Sequence, residues 1–300
     1  MNLAQRAVRG RAWQARLPGM TQASPDTPLT LTMGALQQWH VALQRALAHG
    51  ETPEALEYVA AAIGQLVQVE SMMISLECQG QAPQLLYQQG IPEVHRAAVL
   101  ERYFAAGYLL DPFCLAVQSG LAEGFYHLEE IAPDHFFDSD YYKTYYLKVG
   151  CSEDSYFIVD VGNQSKVSLS LFQGFGGETL SHSQLDVLRA VQPMVAEFIR
   201  EFARRNPAIV EQGASAARAQ TDIKRSIQQA FEHFGCDVLT ERERQVAHMI
   251  LRGHSVKSTA QQMGIAIETV RMHRKNLYLK LAISSQSELF ALFIEWLRQD

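Results

Sequence analysis

The chain of 300 residues lacks the residue patterns that several kinds of chemistry require. Its four cysteines are scattered and form no Cys-x-x-Cys pair, which argues against a zinc site or a disulfide framework. We interpret them as buried thiols in a reducing compartment, with a redox-sensing cysteine as the alternative. No apolar run reaches the roughly 18 residues that a membrane span needs. No glycine-rich phosphate loop, metal-ligand cluster or nucleophile elbow occurs. We therefore expect a cytoplasmic protein that is not an enzyme, needs no cofactor and contacts no membrane.

The charge is divided unevenly along the chain. Its overall net charge is −6, yet residues 237–300 contain nine Lys and Arg against seven Asp and Glu. The preceding residues contain 17 basic against 25 acidic side chains. An acidic body with a weakly basic end is typical of a protein that meets a polyanion through one module.

The first 19 residues contain four arginines and no acidic residue. They are consistent with a basic arm that touches phosphate or membrane, with an organelle-targeting peptide, or with an artefactual extension before a start at Met20. We expect residues 1–32 to form a disordered extension.

Capping and turn residues divide residues 236–300 into four short helices. Thr240 and Glu243 have the spacing of a capping box at the first helix. Gly264 supplies a tight turn before a third helix that is predicted from about residue 267 to residue 281. Short helices joined in this way are typical of a helix-turn-helix.

The exposed face of the third helix is basic, with Glu268 as its acidic residue. Its basic side chains are Arg271, His273, Arg274, Lys275 and Lys280. A recognition helix places such a face in the major groove of DNA. The alternative is an ordinary solvated helix face, but caps, turn and basic face agree over one continuous stretch.

The segment resembles the C-terminal domain of the LuxR/FixJ/NarL class of bacterial transcription regulators. The matching residues are Leu239, Thr240, Arg242, Glu243, Gly253, Ser255, Lys257, Thr269, Val270, Arg271, His273, Asn276, Leu277, Lys280 and Leu281. Two departures are residues 256–259, where the family usually has Asn-Lys-Glu-Ile, and Ala266, where a capping Ser is usual.

This resemblance implies binding to a double-stranded DNA operator, with RNA polymerase as a further candidate partner. It places Arg271, Met272 and Lys275 at base edges. It places Lys257, Thr269 and Arg274 near the phosphate backbone. The departures remove no basic contact, so we expect an altered sequence preference rather than lost binding.

The fourth helix, predicted over residues 285–297, has a wide apolar stripe. Its members are Leu289, Leu292, Phe293, Trp296 and Leu297. In relatives this helix pairs with its copy in a homodimer, which suits a palindromic operator. The alternative is that the stripe packs on its own domain.

Residues 33–205 alternate between helix and strand patterns. Helices are predicted over residues 35–48, 53–66, 94–106, 112–118, 140–148 and 181–204, and strands over residues 72–76, 84–87, 156–161 and 167–172. Hairpins flanked by helices predict an α+β protein whose N-terminal part is an α/β/α sandwich of PAS or GAF type. A linker is expected over residues 206–235, with a short helix over residues 221–234.

Tyrosine and phenylalanine are crowded between residues 103 and 146. Buried tyrosines need partners for their hydroxyls, so we favour a ligand cavity over a plain apolar core. Residues 103–112 resemble the signal-binding domain of acyl-homoserine-lactone receptors, in which an Asp before a Pro receives the ligand amide. Val99 stands in place of a family Trp, which makes a lactone ligand doubtful. The predicted ligand-binding residues are Tyr103, Tyr108, Asp111, Tyr126, Tyr141 and Tyr145.

Asp111 followed by Pro112 has a second interpretation, since Asp is a good helix cap and Pro favours the first helical position. For the whole chain, we expect a dimeric regulator whose N-terminal domain senses a small molecule and changes operator binding. The alternative is a ligand-free module for dimerisation or protein interaction. A phosphoacceptor receiver is disfavoured because the predicted hairpins contradict a doubly wound parallel sheet.

Overall fold

The computed structural model of the chain describes residues 29–78, 81–105, 107–174, 179–210 and 233–297. Most of the expected N-terminal extension, most of the linker and nearly all of the helix predicted over residues 221–234 lie outside the described residues. None of the helices within these ranges is long and apolar enough to cross a membrane.

The described residues form two sets of elements. The strands are β1 (Ser71–Cys78), β2 (Gln84–Gln89), β3 (Gly124–His127), β4 (Glu153–Gly162) and β5 (Ser165–Gln173). The helices of the N-terminal part are α1 (Met33–Ala48), α2 (Glu54–Leu66), α3 (Glu93–Arg96), α4 (Arg102–Ala105), α5 (Pro112–Gln118), α6 (Leu128–Ile131), α7 (Asp140–Tyr145) and α8 (His182–Arg205). The helices of the C-terminal part are α9 (Glu241–Leu251), α10 (Val256–Met263), α11 (Ile267–Lys280) and α12 (Gln286–Trp296).

The five strands form one antiparallel sheet in the order β2-β1-β5-β4-β3. The turn between β4 and β5 has Asn163 and Gln164 in the left-handed region, with φ of 52° and 58°. This backbone suits a tight hairpin turn, which the sequence predicted at this place. The four predicted strands are all present. Strand β3 was missed, because four residues are too few for a reliable alternation signal.

The sheet is covered on both faces. Successive side chains of a strand point to opposite faces, and along β1 Met72 and Ile74 join one apolar cluster while Met73 joins the other. The first cluster includes residues of α1, α2 and α8, and the second includes residues of α5 and α7. This arrangement confirms the predicted α/β/α sandwich. The more specific PAS or GAF type stays a prediction.

The segment after β2 differs from the single helix predicted over residues 94–106. The structure has α3, then a π-helical turn at Ala97–Glu101, then α4. Much of this segment is exposed to solvent, so little packing enforces a regular helix. π-helical turns are frequent at functional sites, and Val99 in this turn lines the cavity described below.

The C-terminal part contains the four predicted helices. The side chain of Thr240 accepts a hydrogen bond from the backbone of Glu243, whose carboxylate receives the Thr240 N–H at 2.8 Å. This is the predicted capping box. Val270 and Leu277 of α11 are fully buried, as their helical spacing indicated.

Substitution of Phe157 tests the assignment of the sandwich core. Phe157 lies on β4, is fully buried, and its ring centroid is 4.9 Å from that of Phe125 on β3. We expect Phe157→Ala to lower the free energy of unfolding by about 3–5 kcal/mol, measured by urea unfolding of the full chain. Met194→Ala is the matched control, because that side chain is 50% exposed. Equal losses in the two variants would contradict the assigned core.

Candidate DNA-binding surface and ligand cavity

Local capping sets the orientation of α10 and α11. The Ser255 hydroxyl accepts a hydrogen bond from the backbone N–H of Ser258 at 3.0 Å and so begins α10. Gly264 ends α10 in the left-handed region, with φ of 64°. Ala266 precedes α11 and provides no side-chain cap, which leaves the N-terminal N–H groups of α11 without that intramolecular partner.

The three residues predicted to reach base edges share the exposed side of α11. Arg271, Met272 and Lys275 are all exposed to solvent, and Met272 is 51% exposed although it is apolar. Arg271 forms an ion pair with Glu268 one turn earlier on the same helix. The helix therefore buries one side and presents a basic side with one apolar residue.

The three residues predicted near phosphates flank that surface. Lys257 is exposed near the start of α10, and Thr269 is half-buried in the first turn of α11. The Arg274 guanidinium lies over the Tyr278 ring, 5.4 Å from its centroid. The six predicted residues thus lie on α10 and α11, where the exposed residues among them provide the positive charge for a polyanion.

Lys280 has a different role from the other basic residues of α11. Its Nζ lies 2.7 Å from Oε2 of Glu243, a carboxylate that is almost fully buried on α9. Burial raises the pKa of Glu243, but the hydrogen bonds from Lys280 and Thr240 outweigh it and hold that pKa below its ordinary value. Lys280 therefore joins α11 to α9 and does not belong to the free basic face.

A cavity of about 30 Å³ lies between the sheet and the helices that follow β2. Four of the six residues predicted to bind a ligand line this cavity, namely Tyr103, Asp111, Tyr141 and Tyr145. Tyr108 is buried in the surrounding core but is not part of the cavity wall. Tyr126 is also outside the wall, and its hydroxyl donates to the Ala122 carbonyl at 3.1 Å.

Asp111 caps a helix and also lines the cavity. Its Oδ1 accepts hydrogen bonds from the N–H groups of Phe113 at 2.7 Å and Cys114 at 3.1 Å, which begins α5. Its side chain is almost fully buried. Burial, together with the nearby charge of Glu77, raises the pKa of Asp111 to about 7. The helix-cap interpretation of this residue is therefore confirmed, and its role in ligand binding stays a prediction.

Sequence reasoning missed three polar residues of the cavity: Tyr146, Asp154 and Tyr156. Asp154 is completely buried on β4, and burial together with the charge of Asp111 raises its pKa well above the ordinary value. Its Oδ2 is 3.5 Å from the Tyr146 hydroxyl. Within the described ranges, Oδ1 of Asp154 and the hydroxyl of Tyr141 have no hydrogen-bond partner.

A sequence signal for these residues exists in β4 and β5. Both strands alternate apolar residues with Ser, Asp or Tyr, a pattern normally typical of a strand with one solvated face. Here the polar set, including Ser168 and Ser170, is completely buried. The alternation therefore marks a polar face, and only the tertiary structure shows that this face is buried.

The segment after α6 contacts the C-terminal part directly. Oδ1 of Asp134 accepts a hydrogen bond from the Ser255 N–H at 2.9 Å and from the Ser258 hydroxyl at 2.7 Å. The His135 N–H donates to the Gly253 carbonyl at 2.9 Å. Gly253 has φ of 84°, and a Cβ there would lie 2.8 Å from the Cα of Phe136. Only glycine fits this contact without displacement.

Helix α12 is partly covered by its own chain. Leu289 and Phe293 are fully buried, and the Phe234 ring lies 5.2 Å from Phe293 and 6.0 Å from Trp296. Leu292 and Trp296 stay partly accessible. The half of the stripe that contains Leu289 and Phe293 thus packs internally.

The basic helix-turn-helix and the sheet domain before it define a modular DNA-binding regulator. Residues 237–293 match the family described as "GerE: Bacterial regulatory proteins, luxR family". An HTH-type transcriptional regulator in the exeN 3′ region of Aeromonas salmonicida is 34% identical over 187 residues, which cover 62% of this chain and 94% of that relative. The chain therefore belongs to the LuxR family of bacterial transcription regulators. This DNA-binding class is not enzymatic, as the sequence predicted.

Other similarities cover smaller shares or are weaker. The transcriptional regulatory protein UhpA of Escherichia coli K12 is 47% identical over 53 residues, which are 18% of this chain and 27% of UhpA. The crystal structure of the VqsR LBD domain from Pseudomonas aeruginosa has a TM-score of 0.48 and 20% identity, covering 56% of this chain and 97% of that one. A crystal structure of Escherichia coli SdiA has a TM-score of 0.38 and 15% identity, covering 86% and 95%.

Replacing Asp111 with Asn tests the burial of its carboxyl. The pKa of Asp111 rises from an ordinary 3.8 to about 7 on folding, so the folded parent binds the proton more tightly and loses stability as the pH rises between these values. Asn retains a capping oxygen and has no charge. We expect the stability advantage of Asp111→Asn, measured by urea unfolding, to grow from about pH 4 and to level off at a few kcal/mol above about pH 7. A difference that does not change with pH would contradict this assignment.

Proposed function

We propose that this LuxR-family regulator reads a DNA operator with α11 and that its N-terminal domain binds a small molecule which alters dimerisation and operator binding. The exposed basic side of α11 supports the first half of the proposal. Arg271 and Lys275 are long donors suited to guanine edges and Met272 offers an apolar contact. Lys257, Thr269 and Arg274 lie where contacts with phosphate would fix the register.

One continuous segment supports the second half of the proposal. Residues 134–146 contain Tyr141 and Tyr145, which line the cavity, and Asp134, which contacts the start of α10. Asp140, also in this segment, accepts a hydrogen bond from the Ser287 hydroxyl of α12 at 2.8 Å. A ligand that moves the tyrosines would move the carboxylates that hold the DNA-binding helices. Differential binding of only ~1–3 kcal/mol is needed for such coupling.

The remaining parts of the proposal follow from this arrangement. We assign residues 33–205 to the sensor domain, residues 206–235 to the linker and residues 236–300 to the DNA-binding domain, with residues 1–32 as an extension. The accessible side of α12, with Leu292 and Trp296, is the proposed dimer contact. The regulator would act in the cytoplasm, where RNA polymerase is a further partner.

The recognition role of α11 is tested by substituting its exposed basic residues. Arg271→Ala and Lys275→Ala should each weaken binding to a duplex selected from a random DNA library by about tenfold to a hundredfold, measured by fluorescence anisotropy. Both residues are exposed, so the melting temperature should not change. Lys148→Ala, an exposed cation of the sensor domain, is the control. Unchanged binding by both variants would refute the assignment of α11.

The interdomain contact is tested at Asp134. A helix N-terminus with free N–H groups is an anion site that suits a DNA phosphate, and Asp134 occupies that position at α10. Removal of its carboxylate by Asp134→Ala should therefore strengthen binding of the same duplex by about threefold to tenfold. Asp138→Ala, exposed in the same segment, is the matched control. If Asp134→Ala binds no more tightly than Asp138→Ala, this contact does not restrain DNA binding.

A further inference from the structure

The side chains of the cavity wall that can ionise become negative and never positive. The wall contains two carboxyls, Asp111 and Asp154, and five tyrosine rings. Among the described residues, no Lys, Arg or His contributes to the wall. A third buried acid, Glu77, lies behind Asp111, where its Oε1 accepts a hydrogen bond from Ser168 at 2.7 Å and its Oε2 lies 3.4 Å from the Cys114 thiol. The wall is therefore built from acceptors and hydroxyls.

The polar atoms of this wall are incompletely satisfied. Oδ1 of Asp154 and the hydroxyl of Tyr141 are buried and have no hydrogen-bond partner in the described part of the chain. Both belong to residues that line the cavity. A buried polar atom without a partner costs about 1–3 kcal/mol, and more if it is charged. A carboxylate oxygen accepts and a phenol hydroxyl both accepts and donates, so a ligand group that donates hydrogen bonds can satisfy both atoms.

The electrostatics favour a donor that is positively charged. Burial raises the pKa of Asp111 and of Asp154, the charge of Glu77 adds to the rise at Asp111, and the charge of Asp111 adds to the rise at Asp154. A cation between the two carboxyls would favour their ionised forms and pair with both charges. A neutral ligand would leave the carboxyls protonated and gain no such pairing, and an anion would be repelled by a carboxyl that ionises.

The tyrosines complete a site for an organic cation. The cavity wall contains the rings of Tyr103, Tyr141, Tyr145, Tyr146 and Tyr156, and those of Tyr141 and Tyr145 stack with their centroids 4.8 Å apart. Aromatic faces attract ammonium groups by the ring quadrupole and form the cages that recognise methylated amines. No group of three or more His, Cys, Asp or Glu in the described ranges is arranged to hold a metal ion. The cation is therefore organic rather than metallic.

We infer that the effector of this regulator is a small protonated amine whose ammonium group lies between Asp111 and Asp154. This inference rests on the ligand-sensing role proposed for the same cavity. The cavity of about 30 Å³ holds a group about the size of one ammonium or methylammonium. A longer apolar portion would displace Val99, in the π-helical turn, or Tyr145, which is half-buried.

Matched sets of small molecules test this inference on the full chain. The first set is n-butylamine, n-butanol and butyrate, and the second is benzylamine, benzyl alcohol and benzoate, titrated by isothermal calorimetry. We expect an amine to bind and its matched alcohol and carboxylate to bind more weakly by about tenfold or more. An alcohol or a carboxylate that binds as tightly as its amine would overturn the inference, and so would a failure of both amines.

Two conservative variants assign the binding to this cavity. Asp154→Asn and Tyr141→Phe preserve shape and each removes one of the unpartnered groups. Asp154→Asn should weaken amine binding by about tenfold to a hundredfold and Tyr141→Phe by a smaller factor, while an unchanged far-UV circular dichroism spectrum confirms that each variant is folded. Undiminished amine binding in Asp154→Asn would overturn the inference. If no member of either set binds and a metabolite library gives no thermal shift, the sensor proposal fails as well.

Discussion

The constraint on which the N-terminal sheet and its helices depend is the burial of acidic side chains on one face of the sheet. Asp154 and Glu77 project from β4 and β1 into the layer that α5 and α7 cover, and Asp111 faces them from the cap of α5. Buried carboxyls are costly unless they are paired, hydrogen-bonded or protonated. The Ser168 hydroxyl of β5 and the Cys114 thiol donate hydrogen bonds to Glu77, whereas Asp154 retains an oxygen without a partner in the described residues. A domain that needed only a core would gain stability from apolar residues at this position.

The same layer connects the cavity to the DNA-binding helices. Phe136 lies between the two, because its ring is 5.9 Å from those of Tyr141 and Tyr146 while its backbone packs on Gly253. Closely packed interiors transmit displacement rather than absorb it. A change in the tyrosines therefore has a short physical route to Asp134 and the start of α10. The basic face of α11 stays exposed in this arrangement. The contact between Asp134 and the start of α10 would therefore affect contacts with DNA phosphates rather than contacts with base edges.

The sequence predicted most of the fold, since its local signals agree with the tertiary structure. Thr240 and Asp111 form their expected caps, and residues 162–164 form the expected hairpin turn. Strand β3 and the π-helical turn were missed, because both are short and depend on tertiary contacts rather than on periodicity. Four of the six predicted cavity residues reach the wall. Asp154 and Tyr156 were missed, because alternation on a strand does not reveal whether its polar face is solvated or buried.

If the buried acidic and tyrosine-rich cavity binds a ligand that controls the DNA-binding helices, that ligand should be found on the purified chain and should change its binding to DNA. Native mass spectrometry of the freshly purified full chain, with and without the selected duplex, addresses both parts in one measurement. We expect one small molecule per chain, its absence in Asp154→Asn, and a different fraction of DNA-bound protein in the liganded and unliganded populations. A chain free of any small molecule, with the parent and Asp154→Asn equally bound to DNA across a metabolite library, would contradict it.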